Sequence, residues 1–421
     1  MHPNALLELC AELVDSLLLF DSPADSLVSA FFRQRKALGQ RERHTLAETA
    51  YAVLRHRLVY QHLAQSGRGP MARRLAILGW EGNEAFLRGA MTDLEQQWLK
   101  QVMTVDRTQL PERLRHNLPE WLADPLKKRL GDDEFWALTS AINESAPLDL
   151  RVNTLKVRRE EVQAALEAKG FKSTPTPYSP WGLRLEGKPA LQKLEVFTSG
   201  QVEVQDEGSQ LLALLTEAKR GEMVVDFCAG AGGKTLALGA SMRNTGRLYA
   251  FDVSGHRLEK LKPRLARSGL SNVYPVQITT ERDDRVKRLA GKVDRVLVDA
   301  PCSGLGTLRR NPDLKWRQTP QGLQELHVKQ LAILNSASRM LKPGGRLVYA
   351  TCSLLDEENE AVASAFSEAH PEFEFLPAQD ILTHAQVPED TAASLCENGF
   401  LRLWPHKHHS DGFFAAVWTK K

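Results

Sequence analysis

The chain is 421 residues long, 42% hydrophobic and 25% charged, a composition that can bury roughly two or three domain cores and excludes a disordered chain. Its 55 Lys and Arg against 52 Asp and Glu leave a net charge of only +3, so partners must be sought in local clusters. No apolar run approaches the ~18 residues of a membrane span, Met1-His2-Pro3-Asn4 lacks the basic start of a secretory signal, and five Cys without a Cys-x-x-Cys exclude a disulfide scaffold, a zinc ribbon and a thioredoxin motif. A reduced, cytoplasmic, monomeric protein is expected.

In chain order, residues 1–140 predict an all-α domain. Leu6, Leu9, Cys10, Leu13 and Leu17 recur at helical spacing, as do Leu46, Ala50, Val53, Leu54 and Leu58. Between Phe31 and Arg74 stand Arg33, Arg35, Lys36, Arg41, Arg43, Arg55, Arg57, Arg68, Arg73 and Arg74, against only Glu42 and Glu48. An Arg-dominated surface of this kind can neutralise nucleic-acid phosphates; a solvated helix face is the plainer alternative. Residues 141–205 predict a small α+β linker module: Arg151-Val152-Asn153 opens a strand, Val162, Leu166 and Phe171 suit a helix, and Ser173 to Pro180, with three prolines, reads as loop.

From Met223 the pattern changes. Apolar runs at Met223–Cys228, Arg247–Val253, Val273–Ile278, Arg295–Ala300 and Arg346–Ala350 alternate with helical stretches such as Leu258–Leu265 and Leu323–Leu341. This alternation predicts a Rossmann-like, doubly wound α/β sheet over 206–421, with ligands at the carboxyl ends of the strands. Gly412–Trp418 predicts an edge strand.

The first of these strands runs into Asp226-Phe227-Cys228-Ala229-Gly230-Ala231-Gly232-Gly233-Lys234-Thr235. Gly233-Lys234-Thr235 matches the end of a phosphate-binding loop, but the first required Gly falls on Cys228. Gly230 and Gly232 match a dinucleotide fingerprint, but its third position is Thr235. An adenosyl ligand without a pyrophosphate satisfies both failures. Glycines let the backbone approach it, Asp252 at the second strand end can accept the ribose hydroxyls, and Asp226 and Asp252 suit a cationic sulfur and an amine. A tight strand–helix turn without a ligand is the alternative.

Two cysteines lie just beyond strands, in Asp299-Ala300-Pro301-Cys302-Ser303 and Thr351-Cys352-Ser353. Neighbouring parallel strands would bring both into one cleft. A thiolate can add to C6 of a pyrimidine and make C5 electron-rich enough to take a methyl group. Asp299, if protonated, could donate a hydrogen bond to ring N3, and a second thiol could help remove the C5 proton. The spacing leaves open which thiol attacks. A redox pair is the rival use.

Together these motifs resemble the RNA cytosine-5 methyltransferases of the NOL1/NOP2/Sun family, in particular bacterial small-subunit ribosomal enzymes with a NusB-like N-terminal domain. Arg151-Val152-Asn153, Gln205-Asp206, Arg309–Trp316 and Asp411-Gly412-Phe413-Phe414 also match segments of that family, and Tyr51-Ala52-Val53-Leu54-Arg55 carries the N-terminal likeness. The resemblance implies methyl transfer from S-adenosylmethionine to C5 of an RNA cytosine, most readily in 16S ribosomal RNA. Cys352 would be the nucleophile and Cys302 would assist release, the reverse of the DNA enzymes, which attack with the Pro-Cys thiol. Asp299 would contact cytosine and the donor's end of the pocket. Cys228, Ala229, Gly230, Ala231, Gly232, Gly233 and Lys234 would wrap the cofactor, with Lys234 also reaching RNA and Asp252 on the ribose. The family's usual Pro in this turn is Ala231 here, and its acid near the adenine is replaced by Thr280, beside Glu281.

Several weaker signals complete the sequence. His406, His408 and His409 read as a solvated loop without further metal ligands. The run Arg282–Arg295 is diluted by Asp283, Asp284 and Asp294, so RNA contact and a plain surface helix remain equal alternatives. Arg309, Arg310, Lys315 and Trp316, in a loop leaving the cleft, are expected to pair with and stack on RNA. A cofactor-free RNA-binding assembly factor and a nucleotide hydrolase are the alternatives from other functional classes.

Overall fold

The computed structural model describes residues 1–421. The chain forms two compact units, Met1–Ser145 with Thr307–Pro320, and Ala146–Gly306 with Gln321–Lys421.

The first unit is helical. The helix Pro3–Leu17 begins with Pro at its first turn, where the missing N–H costs nothing. It buries Leu6, Cys10, Leu13 and Leu17 against Leu46, Val53 and Leu54 of Gln40–Arg55. The helical pattern from Leu46 to Leu58 is broken at His56, so Gln40–Arg55 and Arg57–Ala64 are separate helices. A capping box of Thr92 and Glu95 starts Asp93–Met103.

Part of the basic stretch is structural. Arg73 is buried, ion-paired with Glu8 and Glu95 at 2.6 Å each. Arg55 is buried and donates to the Arg309 carbonyl, and the Arg57 guanidinium lies over the rings of Phe20 and Trp316. Arg33, Lys36, Arg41 and Arg68 stay exposed.

Thr307–Pro320 corrects another expectation. Lys315 is 1% exposed, and its ammonium donates to the Arg55 carbonyl and to Asn143 Oδ1, both at 2.9 Å. Burial pushes its pKa well below that of an ordinary lysine. Trp316 Nε1 donates to the Leu54 carbonyl and Asp313 accepts the Ala24 N–H. Lys315 and Trp316 thus anchor this segment to the helical unit rather than being displayed for RNA, because each polar head finds a protein partner.

The second unit holds two sheets. The smaller comprises β1 (Leu148–Val152), β2 (Ser173–Pro175), β3 (Gly182–Leu185) and β4 (Val202–Val204), in the antiparallel order β2-β3-β1-β4. The helix Arg159–Glu167 adds Val162 and Leu166 to its core. The proline-rich segment expected as loop contributes an edge strand, where a missing N–H is tolerated.

The larger sheet comprises β5 (Met223–Asp226), β6 (Arg247–Asp252), β7 (Val273–Gln277), β8 (Val293–Asp299), β9 (Leu341–Thr351), β10 (Phe373–Leu376), β11 (Cys396–Glu397), β12 (Phe400–Leu403) and β13 (Phe413–Lys420). The order is β11-β12-β13-β9-β8-β5-β6-β7, with β10 also on β13. The run β9-β8-β5-β6-β7 is parallel and Rossmann-like, whereas β13 pairs antiparallel with β9, β10 and β12. The sheet is therefore mixed, and β13 is interior rather than the expected edge. Its alternate residues explain this: Phe413, Ala415 and Val417 enter the core on one face, Phe414, Ala416 and Trp418 that on the other. A strand apolar on both faces needs cover on both. No helix is long and apolar enough to cross a membrane.

Candidate active site

Parallel strands present their carboxyl ends along one rim. Asp226 ends β5, Asp252 ends β6, Asp299 ends β8 and Thr351 ends β9. Because β13 is antiparallel, its first residues arrive at the same rim, with Phe414 opposite Thr351.

The Gly-rich turn crosses from β5 into the helix Gly233–Ser241. Gly230 and Gly232 have φ of +56° and +83°, conformations that carry a penalty for any other residue. A Cβ on Gly232 would stand 2.1 Å from Leu261 Cδ1, whereas one on Gly230 would meet nothing within 4 Å. The turn is closed against the fold on one side and open on the other. Asp252 braces it: its carboxylate accepts the Gly230 N–H at 2.8 Å and the Ser254 N–H at 2.7 Å. The Ala231 carbonyl accepts from Arg264. Ala229 is buried and its N–H donates to Phe251, while Cys228 is half-buried, its thiol pushed well up by burial.

Asp226 is buried and accepts the Thr235 hydroxyl at 2.7 Å. Burial raises its pKa to about 7. Lys234 projects from the first turn of the helix to Asp299, Nζ to Oδ2 at 2.7 Å, and lies 5.9 Å from the Phe413 ring centre. Burial pulls its ammonium down, but attraction to Asp299, with Cys352 and Asp226 adding to it, raises its pKa overall. A lysine engaged with a carboxylate is not a free phosphate ligand, which further weakens a hydrolase reading of Gly233-Lys234-Thr235.

The two thiols meet. Cys302 Sγ and Cys352 Sγ are 3.4 Å apart on loops leaving the adjacent strands β8 and β9, and both residues are half-buried. The hydrogen bond to Cys352 and then burial lift the Cys302 pKa well above that of an ordinary thiol, so Cys302 holds its proton. The Cys352 carbonyl accepts the Gly306 N–H at 2.8 Å, and the Gly306 carbonyl in turn accepts that of Gly412. Thr280 lies three residues beyond β7, exposed, in a turn with Arg282 and Asp283, and makes no hydrogen bond to the other site residues.

Sequence reasoning missed Glu358, Asn359 and Phe413. In Asp356-Glu357-Glu358-Asn359-Glu360 the acidic run looks solvated, yet Glu358 and Asn359 are fully buried. The only hint was their nearness to Cys352. The histidine expectation is corrected as well: His408 is buried, its Nδ1 accepting the Trp404 N–H and its Nε2 bonded to the Ser394 carbonyl.

A Rossmann-like sheet, a glycine turn braced by the acid of the next strand, and two thiols on one rim point to the class of Rossmann-like methyltransferases. Comparison with known proteins narrows the class. Residues 213–419 match the family described as 16S rRNA methyltransferase RsmB/F, and 118–192 match the ferredoxin-like domain of RsmF/B-like methyltransferases. A probable ribosomal RNA small subunit methyltransferase B of Synechocystis is 37% identical over 75% of this chain and 69% of its own length. A ribosomal RNA small subunit methyltransferase F of Escherichia coli is 34% identical over 70% of this chain and 61% of its own. The crystal structure of PH0851 superposes with TM-score 0.80 and 25% identity, covering 100% of this chain and 99% of that one. The chain belongs to the RsmB/F methyltransferase family, and is an S-adenosylmethionine-dependent RNA methyltransferase.

Proposed function

We propose that the protein methylates C5 of a cytosine in RNA, with small-subunit ribosomal RNA as the substrate, through a bond between Cys352 and C6. The observation that carries this is the pair of half-buried thiols 3.4 Å apart, one holding its proton, beside an ion-paired lysine and carboxylate.

The rim suits S-adenosylmethionine. The open side of Gly230 admits a ligand to the backbone of Cys228–Gly233, and Asp252 stands ready to exchange backbone N–H donors for ribose hydroxyls. When bound, the cofactor supplies an electrophilic methyl group. Cys352 gives up its proton to solvent and forms the S–C6 bond as a thiolate, and the C5=C6 electron pair shifts to C5. Lys234, paired to Asp299, holds the proton that compensates charge building at ring N3. In release, the C5–H bond breaks and its electrons restore C5=C6 as Cys352 leaves as thiolate. Once Cys352 is bonded to C6, its hydrogen bond and charge no longer hold the Cys302 proton, which passes to solvent, and Cys302 takes the one from C5. The target base must leave its helix before C6 can be reached.

The NusB-like helical domain, 1–140, would bind RNA through the exposed Arg33, Lys36, Arg41 and Arg68. The linker module, 141–205, would join it to the methyltransferase domain, 206–421, in a cytoplasmic monomer. Thr280 would face the adenine.

Replacing each thiol tests the scheme. Cys352→Ala is expected to abolish transfer, and Cys302→Ala to accumulate protein covalently joined to RNA on a denaturing gel. The reverse pattern would exchange the two roles, and absence of methyl transfer by the intact protein would refute the function. Bisulfite mapping of RNA with and without the protein locates the cytosine.

A further inference from the structure

Glu358 has no exposed surface and no cation pairs with it; its carboxylate is held by hydrogen bonds alone. Oε1 accepts the Ser303 N–H at 2.8 Å and Gln330 Nε2 at 3.0 Å. Oε2 accepts the Ser303 hydroxyl at 2.5 Å and the Ser353 hydroxyl. Ser303 follows Cys302 and Ser353 follows Cys352, so a single buried carboxylate grips both cysteine loops. Charged acceptors make the stronger hydrogen bonds, and a buried charge must have them.

The two loops do not depend on it equally. Cys352 has other anchors: Asn359 accepts the Thr351 hydroxyl and donates to the Ser353 carbonyl at 3.1 Å, and the Gly306 N–H holds the Cys352 carbonyl. The loop of Cys302 shares that Gly306 bond at its far end, and beside the thiol it is held by Glu358. The Ser303 N–H and hydroxyl both donate to Glu358, the hydroxyl also lying 3.3 Å from that of Ser353, and the Gln330 amide that holds the Pro301 carbonyl at 3.0 Å is itself held by Glu358. The negative charge also helps keep Cys302 protonated.

We infer that Glu358 is a positioning residue for product release: it fixes Cys302 against Cys352 while leaving attack by Cys352 to other anchors. The role rests on the thiol assignment proposed above. Glu358→Gln keeps the shape but exchanges one acceptor oxygen for an amide donor, facing either the two serine hydroxyls or the Ser303 N–H and Gln330 amide. It is expected to slow multiple turnover at least tenfold, to trap RNA covalently as Cys302→Ala does, and to leave S-adenosylmethionine affinity within twofold. A merely structural loss would lower trapping and cofactor binding together.

Should Glu358→Gln fail to fold, the serines separate the same alternatives. Ser303→Ala, on the Cys302 side, is expected to trap RNA, and Ser353→Ala, on the Cys352 side, to trap none. Equal trapping by the two serine variants, or none by Glu358→Gln and Ser303→Ala while Cys302→Ala traps, would overturn the role of Glu358. No trapping by Cys302→Ala would instead refute the thiol assignment, and this inference with it.

Discussion

Asp226 shows how the fold tolerates a buried acid beneath a ligand-binding turn. Its native pKa of about 7 lies far above the ordinary 3.8. At low pH native and unfolded chains both carry the proton. As pH rises past 4 the unfolded chain ionises first, and the favourable contribution of Asp226 is gone once pH has passed 7. The swing is on the order of 4 kcal/mol, three pK units at ~1.4 each. Asp226→Asn, which can still accept the Thr235 hydroxyl, is expected to melt above the wild type at pH 8. The difference should shrink by pH 5, as read by thermal denaturation at both values. A gap that does not change with pH would place the proton elsewhere. The cysteines, Asp299 and the glycine turn could be singled out in the sequence because each stands at or just past a strand end, and Lys234 because it follows that turn at the start of a helix, where local pattern and chemistry coincide. Glu358 was not, since its burial depends on two loops that approach only in the folded sheet.

Among the elements, Thr307–Pro320 departs furthest from what its composition suggests. Two arginines, a lysine and a tryptophan after the Pro301-Cys302 loop are the residues expected to grip RNA, yet Lys315 and Trp316 direct their donors to the carbonyls of Arg55 and Leu54. Trp316→Ala is expected to cost about 2–3 kcal/mol of stability in the helical unit, while RNA affinity of the folded protein changes less than twofold. A filter-binding loss without a lower melting temperature would restore the RNA-contact expectation. The misreading has a physical source: a basic residue is recognisable in sequence, but whether its charge meets water or a buried carbonyl is decided by tertiary partners. The same holds for β13, where continuous hydrophobicity was visible but its cover on both faces was not, and for His408, bonded inside the core. The alternating strands and helices of 206–421 were legible because their periodicity is local.

At the scale of the whole molecule, the helical unit carries the exposed Arg33, Lys36, Arg41 and Arg68, and the Rossmann-like unit carries the rim of strand ends. Arg33→Glu with Lys36→Glu, both exposed, should weaken RNA binding across sequences. It should also flatten the dependence of log affinity on log salt by about one unit for each phosphate no longer neutralised, with little change in the rate of methyl transfer at saturating RNA. Titrations at several salt concentrations measure the slope, and an unchanged slope would move RNA binding off this surface. The near-neutral total charge does not reveal this patch, since acids elsewhere in the same helical unit offset it.

An antiparallel strand begins where its parallel neighbours end, and here that puts Gly412 against Gly306. A methyl group on Gly306 would fall 2.0 Å from the Gly412 carbonyl oxygen and 2.9 Å from that of Cys352. Two stretches far apart along the chain thus share one van der Waals gap beside the Cys352 carbonyl. Gly306 cannot be exchanged without moving the backbone of Gly412, so the start of the chain's last strand is tied to the loop that follows Cys302.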